Sequence, residues 1–366
     1  MHVLAIEPYY GGSHQAFWDG LALASRHRWT LATLPARHWK WRMRSAPVAI
    51  QDVIADAVAT HGRPDVVVAS EMLDLPTWLG FASRDDRFKP WLFDVPLITY
   101  FHENQWAYPT APDARIDHHF GYTNLLTAAA SDACWFNSEF NRKTFLDLSR
   151  AFINRMPDSR HAIDLTQIRA SSRVIAPGFQ ASQRVPRDRD DDAPLRLGWV
   201  GRFEHDKRPD RFAELLNRLA ESKQRFELIL LGQRGRNCNA LDEIRGRYGD
   251  KILFDGYAES RDEYEQQLGQ IDVVLSTADH EFFGIAICEA IWAGAVPLTP
   301  NGLSYVEFVP EQLRYDSIDQ AAQIVAGLGR REDRSNLNAT CRSRIASYRI
   351  SVVAGVIDAE LENAAS

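Results

Sequence analysis

Glu281 and Glu289 stand eight positions apart and carry the clearest chemical signal in the chain. Phe283, Gly284 and Ile285 lie between them. Residues 272–276 read as a short buried strand, and residues 286–293 as a helix with a small, apolar packed face. Glu281 then stands on a strand-to-helix loop and Glu289 inside the helix. The amides at Gly284, Ile285 and Ala286 fall at or near the helix start. They have no intrahelical partner, and the helix dipole adds positive character, so the spot suits a phosphate. Gly284 has no Cβ and allows close backbone approach. A sugar nucleotide fits: diphosphate on the helix start, sugar hydroxyls on Glu281, ribose diol on Glu289. Taken alone, two such glutamates read more simply as a cap and a surface acid. The Phe-Gly-Ile between them and the small residues beyond favour the ligand site.

Four further groups could serve the same chemistry. Arg202 and Lys207 follow the strand at 195–201 and could grip a diphosphate from two sides, Arg as a fork and Lys as a point charge. Residues 96–101 form an apolar strand that runs straight into His102, Glu103, Asn104 and Gln105, placing those side chains at the ligand edge of an open sheet. His102 is the candidate contact to the transferring sugar or to the acceptor hydroxyl, against the plain alternative of a satisfied loop histidine. Position 106 is Trp, so this is not a zinc-protease motif. Residues 37–44, RHWKWRMR, alternate cations and aromatics with no acid. Trp39 and Trp41 could stack on bases while Lys40, Arg42 and Arg44 meet phosphates. As a strand, the same residues would pack the tryptophans and solvate the cations, and the two readings weigh equally. Gly11, Gly12 and His14 follow the first strand in a turn that is not a dinucleotide fingerprint.

The elements that must position these groups repeat. Strands are expected at 3–6, 64–70, 96–101, 132–138 and 173–176, then at 195–201, 226–232, 251–257, 272–276 and 295–299. A helix from about Ser13, with Ser13 as its cap, would pack Phe17, Leu21 and Ala24. Another would begin at Glu139, capped by Ser138. Tyr257 ends a strand where a base could sit. Strand and helix alternate in both halves, which implies two parallel-sheet α/β domains. Residues 1–183 form the first, the charged, proline-flanked run 184–194 a linker, and 195–347 the second. Residues 348–366 read as an amphipathic helix with Val352, Val356 and Ile357 apolar.

With 366 residues, 45% of them hydrophobic and 25% charged, two globular domains are the default. The four cysteines are scattered, with no C-x-x-C, which argues against a zinc ribbon or a disulfide framework and fits a reducing cytosol. No signal peptide and no apolar run of about 20 residues is present, so a cytoplasmic protein is expected. Residues 1–189 hold 21 basic and 19 acidic side chains, and the remainder 21 and 30. Nine of eleven histidines lie in the first part. Different partners for the two halves follow.

Residues 201–207 (GRFEHDK), with Glu281 and Glu289, resemble the signature of family 4 retaining glycosyltransferases. Residues 7–14 (EPYYGGSH), 34–42 (LPARHWKWR), 100–105 (YFHENQ) and 278–286 (ADHEFFGIA) look like the tRNA-queuosine mannosyltransferase group. The blocks keep their order over nearly the full chain. The resemblance implies a GT-B architecture: two facing Rossmann-like doubly wound domains with a C-terminal crossover helix. It implies transfer of mannose from GDP-mannose to queuosine in the tRNA anticodon loop, with retention and without a metal or other cofactor. His102, Glu281, Arg202 and Lys207 would carry the chemistry. Gly11, Gly12, Tyr257, Phe283, Gly284, Ile285 and Glu289 would join them around the donor. His14, Trp39, Lys40, Trp41, Arg42, Arg44, Glu103, Asn104, Gln105 and Ser138 would face the acceptor. A small glycan, lipid or protein acceptor is the alternative within enzymes. A tRNA-binding protein with a vestigial transferase fold is the alternative outside them.

Overall fold

The computed structural model describes residues 1–108, 117–160, 163–182, 192–233 and 239–366. The chain divides into two compact units, Met1–Gly178 with Ile350–Ser366, and Phe179–Arg349. Among the described residues each unit carries one six-stranded parallel sheet. The first contains β1 (His2–Tyr10), β2 (Arg28–Pro35), β3 (Val66–Ser70), β4 (Leu97–Phe101), β5 (Ala133–Phe136) and β6 (Ser172–Val174), in the order β2-β1-β3-β4-β5-β6. The second contains β7 (Leu195–Val200), β8 (Phe226–Leu231), β9 (Ile252–Gly256), β10 (Val273–Leu275), β11 (Val296–Pro300) and β12 (Arg314–Tyr315), in the order β12-β11-β10-β7-β8-β9. Both are doubly wound. The order reverses beside β1 in one and beside β7 in the other, and ligands of such sheets bind beyond the strand ends at the reversal.

Every strand expected from an apolar run is present; β2 and β12 are additions. The β2 strand lies at an edge and is half-buried, so its apolar signal is weak. In contrast β3 and β4 are buried throughout, as parallel strands covered on both faces must be. Side chains alternate between faces along β1. Leu4 and Ile6 join Ile50, Ile54 and Trp78 on one face, while Val3 and Ala5 join Trp18 and Leu21 on the other.

The helix Ile350–Ala364 completes that second face with Val353, Ala354, Ile357 and Leu361. This stripe is rotated from the expected one, and Val356 is exposed. Buried Asp358 accepts the Arg26 amide at 3.0 Å and the Ser25 hydroxyl, which anchors the helix to the end of the first one. In that first helix, Gly12–Ala24, Phe17 and Leu21 are buried as expected but Ala24 is exposed, and Trp18 takes its place in the core. Ser13 does not cap it; Gly11 occupies the cap position. A Cβ on Gly11 would lie 2.6 Å from Ala36 Cβ, and Gly12 has φ +57°, so the chain enters this helix through two glycines.

Residues 179–182 and 348–349 belong with the second unit. The Phe179 amide donates to the Tyr348 carbonyl at 3.0 Å, and the Phe179 ring packs on Trp292. Of the expected linker 184–194, only residues 192–194 are among those described. Among the described residues no helix is long and apolar enough to cross a membrane.

Candidate active site

In the second unit the loops after β7 and β10, the strands at the reversal, are tied together. The Thr277 hydroxyl lies 2.7 Å from the Lys207 carbonyl and 3.0 Å from that of Arg208. Asp279 pairs with Arg208 at 2.6 Å and Arg211 at 2.5 Å. This fixes Lys207, whose Nζ reaches Glu281 Oε2 at 3.1 Å, the His280 carbonyl at 3.0 Å and Asp206 Oδ2 at 3.2 Å. Three acceptors thus match three ammonium protons. Burial works against the charge, but Glu281 and Asp206 outweigh it and the Lys207 pKa is raised. The neighbouring His280 is pushed down to about 4 by burial and by the Lys207 charge. Arg202 is held more loosely, more than half exposed and 3.7 Å from Glu204.

Gly284 caps the helix Ile285–Trp292 with φ +94°, a left-handed conformation that favours glycine. A Cβ there would meet Tyr305 at 3.0 Å. The Ser304 hydroxyl lies 3.2 and 2.9 Å from the carbonyls of Glu281 and Phe283, holding the loop that leads to the helix. Phe283 is buried against Tyr348. The structure therefore brings Lys207, Glu281 and the amides after Gly284 into one polar corner: a fixed cation, a carboxylate and a helix start.

Glu289 is more committed than its spacing suggests. It is buried, with Arg261 Nη1 at 2.6 Å on one oxygen and the Tyr264 hydroxyl at 2.8 Å on the other. Burial raises its pKa despite the pull of these two partners. Each carboxylate oxygen keeps a second acceptor site. Tyr257, past the end of β9, is 72% exposed and free of core packing.

The first unit has its own cluster at the ends of β1, β3 and β4. Glu7 is fully buried and accepts four hydrogen bonds: His14 Nδ1 at 2.9 Å, Trp18 Nε1 at 2.8 Å, the Ser70 hydroxyl at 2.9 Å and the Tyr9 amide at 2.7 Å. Burial alone would raise its pKa, but His14 and these donors bring it below the ordinary value. Burial opposes the His14 charge as well, yet Glu7 lifts that pKa to about 9. The His102 ring lies 4.1 Å from that of His14, tilted 35° to it, and burial followed by the His14 charge holds its pKa well below the ordinary value. Its amide donates to Glu71 Oε2 at 3.1 Å.

Sequence reasoning passed over Glu7 and Glu71. Their one signal is position: Glu71 follows a buried strand directly, as His102 does. Donor atoms of Glu7, His14 and His102 lie within 4.8 Å of one another, a spacing a metal could use. Each Glu7 oxygen, however, already accepts two hydrogen bonds. The cluster is arranged for hydrogen bonding.

Asn104 and Ser138 hold the tip in place. Buried Asn104 donates to Asn141 Oδ1 at 2.8 Å and accepts the Ala107 amide at 3.0 Å. Ser138 caps the helix Glu139–Asn154 through the Asn141 amide. Gln105 donates to Glu103 at 2.7 Å.

Residues 2–179 match the family of tRNA-queuosine alpha-mannosyltransferase N-terminal regions, and residues 159–347 match family 4 glycosyltransferases in conflict systems. A Drosophila melanogaster protein, tRNA-queuosine alpha-mannosyltransferase, is 32% identical over 329 residues, which cover 86% of this chain and 84% of that one. The chain belongs to the tRNA-queuosine alpha-mannosyltransferase family. It is a glycosyltransferase of the GT-B fold class. Anabaena HepE, solved with UDP, superposes at TM-score 0.69 with 15% identity, over 99% of this chain and 100% of that one. Sucrose-phosphate synthase from Thermosynechococcus elongatus does so at 0.70 with 14% identity, over 99% of each. These two likenesses carry the fold alone.

Within this family member, the RHWKWRMR stretch is neither an open loop nor a strand. It enters the helix Trp39–Ala49 through His38, at φ +47°. Trp39 and Met43, four apart, face inward, and Trp39 packs on Phe120. Trp41 is 68% exposed, with Lys40 and Arg44 also outside. Arg42 donates to the Pro35 carbonyl at 3.0 Å, and Arg44 lies over the Phe120 ring. One tryptophan is therefore structural and the other presented.

Proposed function

We propose that this glycosyltransferase takes mannose from GDP-mannose and places it on queuosine in the anticodon loop of tRNA. The reading is carried by the Lys207–Glu281 pair beside a glycine-headed helix start, in a chain 32% identical to a protein of that name. The diphosphate rests on the Gly284 and Ile285 amides, with Lys207 and Arg202 as cations. Glu281 accepts hydrogen bonds from mannose, and Glu289 uses its remaining acceptor sites for the ribose diol. The base sits at Tyr257.

The bond between the anomeric carbon and the phosphate oxygen breaks, and one to the acceptor oxygen forms on the same face. The acceptor's proton passes to the departing phosphate oxygen, which gives retention without an enzymic nucleophile. Fixed cations and a helix start stabilise the charge that develops on the leaving group. They replace the metal that such diphosphates otherwise need. His102 contacts a reacting hydroxyl. Trp41 stacks on a tRNA base, while Lys40, Arg42 and Arg44 meet its backbone. A tRNA substrate puts the protein in the cytoplasm.

Melting the protein with GDP, GDP-mannose, UDP and UDP-glucose tests the donor. A rise with the two guanosine compounds supports the reading. A preference for UDP contradicts GDP-mannose, and no response to any of them contradicts a donor site.

A further inference from the structure

Neighbouring strands β3 and β4 run in register, with Ser70 opposite Tyr100. Glu71 is the first residue beyond β3 and His102 the first beyond β4. The Glu71 amide donates to the Tyr100 carbonyl at 3.2 Å, and Glu71 Oε2 accepts the His102 amide at 3.1 Å. The second oxygen of Glu71, Oε1, is buried without a hydrogen-bond partner, and so is His102 Nε2. Glu71 is 0% exposed and His102 8%. Buried polar atoms in native proteins are nearly always satisfied, so each orphan calls for a partner. The two belong to hydrogen-bonded residues at the ends of adjacent strands, on the ligand edge of a doubly wound sheet and next to its reversal.

The neighbours decide what could satisfy them. From β1 and the first helix come Glu7 and the His14 imidazolium, and from the β4 tip Glu103. Burial, with Glu103 and Glu7 adding and His14 opposing, pushes Glu71 up to about 8, so it holds its proton at neutral pH. An anion would meet Glu7 and Glu103 and be repelled. A neutral carboxyl and a neutral imidazole each offer hydrogen-bonding capacity as donor and acceptor. Adjacent hydroxyls, which both donate and accept, complement them.

We propose that Glu71 Oε1 and His102 Nε2 form a binding site for a vicinal diol, with Glu71 a substrate contact of this enzyme. The site rests on the mannosyl-transfer reading only for the choice of diol. The mannose of the donor and the cyclopentene diol of queuosine share the chemistry.

The test is ligand-detected NMR titration of the parent, Glu71→Ala and Glu71→Gln with methyl α-mannoside and, separately, the free base of queuosine, which lacks the ribose diol, at pH 7. The parent binds one of the two, which names the source of the diol. Glu71→Ala loses roughly 5- to 150-fold in affinity. Glu71→Gln, an isostere of the protonated acid, binds far better than Glu71→Ala. If Glu71→Ala does not fold, His102→Ala removes the other half of the site and gives the same loss. A parent that binds neither probe overturns the site, as does undiminished binding by the folded alanine variant. A parent that binds one diol through Glu71 yet transfers no mannose sustains the site and defeats the mannosyl-transfer reading.

Discussion

Lys207 Nζ and Glu281 Oε2 lie 3.1 Å apart, joining the loop after β7 to the loop after β10. The carboxylate neutralises the buried cation beside the helix start. Lys207→Ala therefore removes the fixed charge and leaves Glu281 and Asp206 without it. Turnover falls about 100- to 1,000-fold, the loss typical of removing one transition-state stabiliser. Lys207→Arg does not restore it, because three converging acceptors match an ammonium and not a planar fork. Steady-state kcat at saturating donor measures both. A near-parental rate for Lys207→Ala removes the clamp.

Glu289→Ala breaks the buried contacts to Arg261 and Tyr264. Arg261 is part-exposed and keeps Glu265, so the loss of these hydrogen bonds costs about 1–3 kcal/mol, or roughly 2–12 °C in Tm for a unit of this size. Donor KM rises as well. Thermal melts and donor saturation curves check the two effects, and an unchanged Tm refutes the buried pair.

The Glu7–His14 pair sets a pH dependence. His14 is raised from 6.5 to about 9, so the folded state holds a proton that the unfolded state releases. Its contribution, on the order of 3 kcal/mol, is complete below pH 6.5 and is lost as pH rises through 9. Glu71, raised to about 8, adds a loss in the same direction between pH 4.5 and 8. His102, held neutral, opposes both only below pH 6.5. Tm should fall from pH 7 to 9.5, and Glu7→Gln should flatten the fall by removing the counter-ion of His14. A parent Tm that is level over this range contradicts the pairing.

Trp41→Ala and Trp39→Ala separate display from packing. The first leaves Tm within about 1 °C and raises KM for tRNA roughly 5- to 150-fold, the value of one stacked base. The second lowers Tm, because Trp39 packs on Phe120. Lys40→Ala and Arg44→Ala each reduce the salt slope of tRNA binding by about one. Equal tRNA affinity in Trp41→Ala and the parent takes this helix out of the acceptor surface.

Much of this was legible because parallel strands buried on both faces are plain apolar runs. Residues 66–70 and 97–101 needed no alternation to be found. That Glu281 and Gly284 share one loop was legible from their spacing, but the pairing of Lys207 with Glu281, 74 residues away, was not. The partners of Glu289 were not. Arg261 and Tyr264 lie 28 and 25 residues away, and only the fold brings them to it. The Trp39–Trp41 spacing looks strand-like, while the helical pair is Trp39 with Met43, and Pro47 inside the same helix obscured it further. Glu7 and Glu71 were hidden for a different reason. A lone acid beside an apolar run reads as the solvated end of a strand, and only the completed sheet shows it enclosed.

The most direct test of the central claim is incubation of the enzyme with GDP-mannose and queuosine-bearing tRNA, followed by mass measurement of the released nucleosides. Queuosine heavier by one hexose, absent with Lys207→Ala, is the predicted result. Unmodified queuosine after prolonged incubation with folded protein and intact donor contradicts it.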